Sequence, residues 1–302
     1  MKWSYQYKLY IQFKGEKKMN QKPPRIAWIT DTTCTLSKEF ILENQINVIP
    51  LQVVIDGVSY KETVDITDKQ FYERMAKESV SFQSSQPSIG EFIELYEKLK
   101  KEYDYGIAIH CSGKLSGTFS ASVMAAEQVG FKLYAIDSLT GSYPHAFLMN
   151  KGIELFKQGY DAEEIVKQIE EMKSNTRLFL IPANLNQLHK SGRVSGSQRL
   201  IANLFSIKPI LSIETEGAKI RDKVRTEKRA IQYMFDLLRE DVRKCNISKI
   251  AVIHADDEVN ARKLEKQLND EFVSIPTERI LLVPVAGVHT GVGTIGISWV
   301  CE

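Results

Sequence analysis

The stretch GIAIHCSGKLSGTFSASVMAAEQVGFKLYAIDSLTGS, residues 106–142, decides how this chain is read. Gly106 to His110 is an apolar run of strand length, followed by the polar loop CSGKLSGTF (Cys111 to Phe119) and a helical segment to about Val129. The unit then repeats: strand Lys132 to Ile136, loop DSLTGS (Asp137 to Ser142), helix to about Gln158. Strands alternating with helices predict a mostly parallel sheet flanked by helices, because parallel neighbours need a long crossover between them.

The same rhythm extends upstream. Ile26 to Thr30 reads as a strand, DTTCTLS (Asp31 to Ser37) as a polar turn and Lys38 to Asn44 as a helix. After a strand near Ile49 to Ile55, Asp56-Gly57 predicts a hairpin turn into Val58 to Lys61, since glycine accepts positive φ at little cost. A helix from Asp68 to Glu78 precedes the polar loop SFQSSQPS (Ser81 to Ser88). Pro87 and the capping-box spacing Ser88-x-x-Glu91 then announce another helix.

Downstream, a helix from Asp161 to Met172 leads to a strand at Arg177 to Ile181, and a second α/β domain is placed from Lys173. It holds the basic loop HKSGRVSGSQR (His189 to Arg199), strand Ile207 to Ile213, a hairpin at Glu216-Gly217 and a helix from Thr226 to about Lys244. Strand Lys249 to His254, helix Asp257 to Asp270, strand Arg279 to Val285, the glycine-rich loop AGVHTGVGTIG (Ala286 to Gly296) and an apolar tail complete it. The expected division is an N-terminal extension over 1–22, expected to be disordered, a first α/β domain over 23–172 and a second over 173–302. Two domains suit 302 residues at roughly 100–200 residues each.

Composition narrows the function. The formal net charge is +2, and five lysines against one glutamate in residues 1–18 leave the rest near neutral, which gives no footprint for nucleic acid. No apolar run approaches the roughly 18 residues of a transmembrane helix, and the first 18 residues lack the apolar stretch of a secretory signal. Cys34, Cys111, Cys245 and Cys301 show no metal-like spacing and read as reduced thiols of a cytoplasmic protein. No metal site and no cofactor are expected, for no nucleotide-binding glycine motif occurs.

The chemistry concentrates in hydroxyl-rich loops. Asp31, Thr32 and Thr33, then Ser84 and Ser85, then Ser112, Ser116 and Thr118 lie at expected strand-to-helix junctions, where free N–H groups favour an anion. Any one loop on its own is better explained as a helix cap, and only the three together weigh evenly for an anion. His289, set among glycines, can donate to a carboxylate or phosphate; its competing reading is a histidine in a mobile turn. His110, His145, His189 and His254 have no partners at catalytic or metal-ligand spacing. A serine hydrolase or phosphotransferase could be assembled from Ser116, His289 and Asp31, although no GxSxG elbow is present. Arg193 and Arg225, in two basic clusters, offer planar forks to an acidic or phosphorylated partner, or form a solvated face.

Taken in order, these segments resemble the DegV family of bacterial lipid-binding proteins. DTTCTLS is similar to the family's D-S-T-x-x-L, SSQPS to T-S-Q-P-S, CSGKLSGTFSAS to S-S-x-L-S-G-T-Y-x-S-A and IDSLTGS to V-D-S-x-x-x-S. LHKSGRVSGSQ, IKPIL, KVRTEKRA and VHTGVGTIG are similar to L-x-K-G-G-R-I-S-x-x-Q, I-K-P-I-L, K-x-R-x-x-K-K-A and A-H-x-G-P-G-x-x-G, so the likeness spans about Arg25 to Gly296. It implies a two-domain fold, with a mostly parallel first domain, a mixed α/β second domain and a lipid tunnel in the first. It implies one long-chain fatty acid whose carboxylate is held by Ser84, Ser85, Ser112, Gly113 and His289. It also implies a non-enzymatic binding subunit that presents this carboxylate to a separate ATP-binding fatty-acid kinase, with Arg225 and Arg193 at the kinase encounter. Gly113 stands where the family has a second serine and Ser84 where it has threonine, removing or altering a donor. The remaining reading is a lipid-responsive regulator.

Overall fold

The computed structural model describes residues 24–77, 80–190, 192–195 and 207–302; the expected extension over 1–22 and Arg199 of the basic loop lie outside them. In chain order the first elements are β1 (Ile26–Asp31), α1 (Lys38–Glu43), β2 (Asn47–Ile49), β3 (Gln52–Ile55), β4 (Val58–Lys61), α2 (Asp68–Lys77), β5 (Phe82–Ser85) and α3 (Ile89–Glu102). Next come β6 (Tyr105–His110), α4 (Thr118–Val129), β7 (Leu133–Asp137), α5 (Ser142–Lys157) and α6 (Ala162–Met172).

β2, β1, β6 and β7 form a parallel sheet in that order. Period-two alternation sends Ile26 and Trp28 of β1, with Ile107 and Ile109 of β6, to a core shared with α5 and α6. Ala27 and Ile29, with Ala108, face the opposite core of α3 and α4. Burial on both faces explains why β1 and β6 read as continuous apolar runs. The expected capping box is present, with Ser88 accepting from the Glu91 N–H and Glu91 accepting from the Ser88 N–H.

The segment read as one strand from Ile49 to Ile55 is two, and they belong to different sheets. β2 joins the parallel sheet, whereas β3 is the centre of a small antiparallel sheet ordered β4-β3-β5. The Asp56-Gly57 turn is as expected, with φ of 49° and 82°. The loop expected over Ser81 to Ser88 is corrected in part: Phe82–Ser85 pairs with β3 as β5, so Ser84 and Ser85 sit on a strand.

The remaining elements are β8 (Thr176–Ile181), α7 (Leu185–Lys190), β9 (Val194–Ser195), β10 (Lys208–Glu214), β11 (Gly217–Val224), α8 (Glu227–Val242), β12 (Ile250–His254), α9 (Glu258–Glu271), β13 (Thr277–Leu281), α10 (Pro284–Thr290) and β14 (Ile295–Val300). They build a mixed seven-stranded sheet, β13-β12-β14-β8-β10-β11-β9. The apolar tail is its interior strand β14, antiparallel to both β12 and β8. Ile295, Ile297 and Trp299 pack toward α8 and α9, while Val300 faces the opposite core. The glycine-rich loop is also corrected, since its first half is helix α10. Gly287 is required there: a Cβ would lie 2.5 Å from the Tyr72 hydroxyl, which itself donates to the Leu282 carbonyl.

Cys245 and Cys301, read as reduced thiols, form a disulfide. Fifty-six residues separate them, but the end of α8 and the end of β14 bring their Cα atoms to 5.4 Å, within the range a disulfide needs. Cys34 and Cys111 remain buried free thiols. Denatured without reductant, the chain should therefore react with Ellman's reagent at two cysteines, and at all four after reduction.

Candidate functional site

One face of the seven-stranded sheet is covered by its own helices α8 and α9. The other carries Leu178, Leu180 and Leu211 and shares a core with β3 and α2 of the N-terminal half. At this junction lies a cavity of about 160 Å³. A single water needs roughly 10–15 Å³ on the same scale, so the cavity admits on the order of ten water-sized groups. Its walls differ in chemistry. The N-terminal half contributes Thr33, Ser84, Ser85, Ser116, Thr140 and Ser142, whereas Leu178, Leu180, Leu211, Ile213, Val283 and Val285 make the opposite side apolar. Side chains from α3, α4, α5 and α6 pack on both faces of the parallel sheet, and most of the cavity's apolar surface comes from the C-terminal half, with Leu51 and Leu115 added by the N-terminal half.

The Ser84 hydroxyl and His289 Nε2 meet at 2.8 Å, joining β5 to α10. Ser85 lines the exposed side of the cavity and donates to the Gln86 carbonyl. Burial, and the nearby Arg193 guanidinium, push the His289 imidazole down to about 4. It is therefore neutral at pH 7, and with Ser84 it forms an uncharged hydrogen-bonding pair. Arg193 is itself on the wall and donates from Nε to the Leu115 carbonyl at 3.4 Å. Arg225 lies outside the wall, exposed between β11 and α8.

Two residues nominated for the carboxylate are not on the wall either. Ser112 is fully buried, and its Oγ accepts from the Lys114 N–H; the Gly113 N–H donates to both Asp137 carboxylate oxygens at 3.1 Å. Their neighbours Cys111, Ser116 and Gly117 line the cavity instead. Ser116, His289 and Asp31 do not form a catalytic triad. Ser116 bonds Thr118, His289 bonds Ser84, and Asp31 accepts from Thr33, His110 Nδ1 and the Cys111 N–H.

A different row, Asp31, His110, Ser122 and Tyr96, does run in hydrogen-bonded order, but Ser122 and Tyr96 are fully buried and neither borders the cavity. It ties β1 and β6 to α3 and α4 as a structural network. His145 joins it through Thr30 and Thr33. Among the described residues no cluster could hold a metal ion.

Sequence reasoning passed over Glu62. It sits in Lys61-Glu62-Thr63, which reads as a polar turn, yet it is fully buried. Thr32 Oγ1 donates to its Oε2, and the Val285 N–H at the start of α10 donates to its Oε1 at 2.8 Å. Burial, aided by the carboxylates of Asp68 and Asp31, pushes its carboxyl up to about 7 against the two stabilising hydrogen bonds. An acid raised in the folded state contributes stability that is full at low pH and is lost as pH rises past its unfolded value toward 7. Wild-type thermal stability should therefore fall relative to Glu62→Gln between about pH 5 and pH 7.5, by on the order of 2–3 kcal/mol at full ionisation. Parallel melts of the two proteins across that range measure it.

The model of the DegV family, described as one of uncharacterised proteins, matches residues 25–302. The chain belongs to the DegV family. It is 37% identical over 276 residues to Protein DegV of Bacillus subtilis, covering 91% of this chain and 98% of the relative. The crystal structure of DegV, described as a fatty acid binding protein from Bacillus subtilis, superposes with a TM-score of 0.84 at 35% identity, covering 93% of this chain and all of the other. A fatty acid binding DegV family protein from Streptococcus agalactiae gives 0.86 at 26% identity, with 93% and full coverage. The parallel sheet with its helices and the separate mixed sheet are thus the DegV fold.

Proposed function

We propose that the protein binds one long-chain fatty acid in the junction cavity, with the carboxylate at Ser84, Ser85 and His289 and the acyl chain against the apolar wall. The Ser84 and His289 pair, set at the edge of a mostly apolar enclosure, carries the reading. Fatty acid binding by the structural relatives supports it. At ~0.8 kcal/mol per buried CH₂, a long acyl chain supplies ample affinity without a salt bridge to its head. Ser112 and Gly113 are not on the cavity wall, so the proposed grip leaves them out.

The finer reading is presentation of the carboxylate to a separate ATP-binding kinase, which forms the acyl phosphate; the protein itself is then not the catalyst. Neutral donors suit that role, since an unneutralised carboxylate keeps its nucleophilicity. Arg193 beside the cavity and Arg225 on the exposed turn are the proposed kinase contacts. The reading places the protein in the cytoplasm, with ATP, and no helix among the described residues is long and apolar enough to cross a membrane. It keeps the division into 23–172 and 173–302, supported by the parallel sheet lying wholly before Lys173 and the seven-stranded sheet wholly after it.

Protein purified from a bacterial host and extracted into organic solvent should release about one equivalent of fatty acid by mass spectrometry; an extract free of acyl chains would count against the reading. His289→Ala should weaken palmitate binding about tenfold, the loss of one or two hydrogen bonds to a charged group. In a coupled assay with a fatty-acid kinase, Arg225→Ala should retain palmitate affinity and slow acyl-phosphate formation. Turnover of acyl esters by the isolated protein would favour the hydrolase instead.

A further inference from the structure

His289 reaches Ser84 only because α10, a seven-residue helix of the C-terminal half, is held against β3 and β5 of the small sheet. Nothing in the covalent chain fixes that relation: the two side chains are 205 residues apart. Two buried side chains bond across this seam beside α10: Tyr72, which donates to the Leu282 carbonyl ahead of the helix, and Glu62, which bonds the helix itself. The Glu62 backbone N–H donates to Leu51, which lines the cavity, and its carboxyl group accepts from Thr32 on one side and from Val285 on the other. Thr32 is in turn fixed by the Leu51 N–H. Three bodies therefore meet at one carboxyl group: the loop after β1, the end of β4, and the first turn of α10.

We propose that Glu62 is a positioning residue, whose bridge from Thr32 to the Val285 N–H holds α10 at the depth where His289 meets Ser84 inside the cavity. Glu62 is not on the cavity wall. Its reach, not its charge, is what the geometry uses, because one oxygen serves each partner. The proposal leans on the fatty-acid reading only for its affinity measurement.

The test uses the delipidated full-length protein and NMR titration of the His289 ring, assigned by the signal lost in His289→Gln. The wild-type midpoint is expected at about 4, because burial and then the Arg193 guanidinium disfavour the charged ring. In Glu62→Ala, and in Glu62→Asp, which is about 1.5 Å too short to serve both partners, α10 loosens, the ring gains water and its midpoint rises toward the ordinary value of about 6.5. Glu62→Gln keeps an acceptor for Val285 and stays near the wild type. Palmitate affinity should drop about five- to tenfold in the Ala and Asp variants and change less than about twofold in Gln.

A folded Ala or Asp variant with an unshifted His289 midpoint overturns the proposal. So does rescue by Asp but not Gln, which would make charge the determinant, and so does failure of both Ala and Asp to fold, which would assign Glu62 to core stability. If the wild type shows no palmitate affinity, the fatty-acid reading fails while the histidine titration still decides the positioning role.

Discussion

The apolar face of the seven-stranded sheet that its own helices leave uncovered is the constraint from which the rest follows. Leu178, Leu180, Leu211, Ala251 and Ile253 lie on a face that α8 and α9, occupied with the other side, cannot cover. The N-terminal half covers it with the small sheet, α2 and Tyr143 of α5. Apolar burial at roughly 25 cal/mol per Å² drives that docking. The surfaces fit imperfectly, because the opposing loops are rich in hydroxyls that require hydrogen-bond partners and cannot interdigitate with leucines. The cavity is the space between a hydroxyl-rich wall and an apolar one, and a molecule with a polar head and an apolar body matches both.

Two buried carboxyl groups beside this junction have opposite fates for the same physical reasons. Asp31 is surrounded by donors, Thr33 through its N–H and hydroxyl, the Cys111 N–H and His110, so hydrogen bonds outweigh burial and hold it ionised. Glu62 has two hydrogen bonds and two carboxylates nearby, so burial prevails and its carboxyl is pushed up to about 7. The first arrangement stiffens the loops at the edge of the parallel sheet. The second sits between the halves, where a change of protonation alters how strongly they hold together.

Much of the architecture was legible because it rests on near neighbours. The capping box at Ser88 and Glu91 and the Asp56-Gly57 turn are set by contacts within four residues. The strand and helix rhythm of 106–158 follows from periodicity alone. Where the reading slipped, long-range packing was the cause. β14 looked like a tail because nothing local marks a run as the interior strand between β12 and β8, and β5 looked like a loop because its partner β3 lies beyond an intervening helix.

The site divides in the same way. The sequence determined which residues carry useful chemistry, namely hydroxyls at Thr33, Ser84 and Ser85 and an imidazole at His289, since side-chain identity is written there directly. Only the tertiary structure decided that Ser84 and His289 face each other, that Ser112 and Gly113 lie off the cavity wall, and that Glu62 is buried. Burial and pairing depend on which distant surfaces pack together, and that packing is cooperative across the chain, so no local pattern records it.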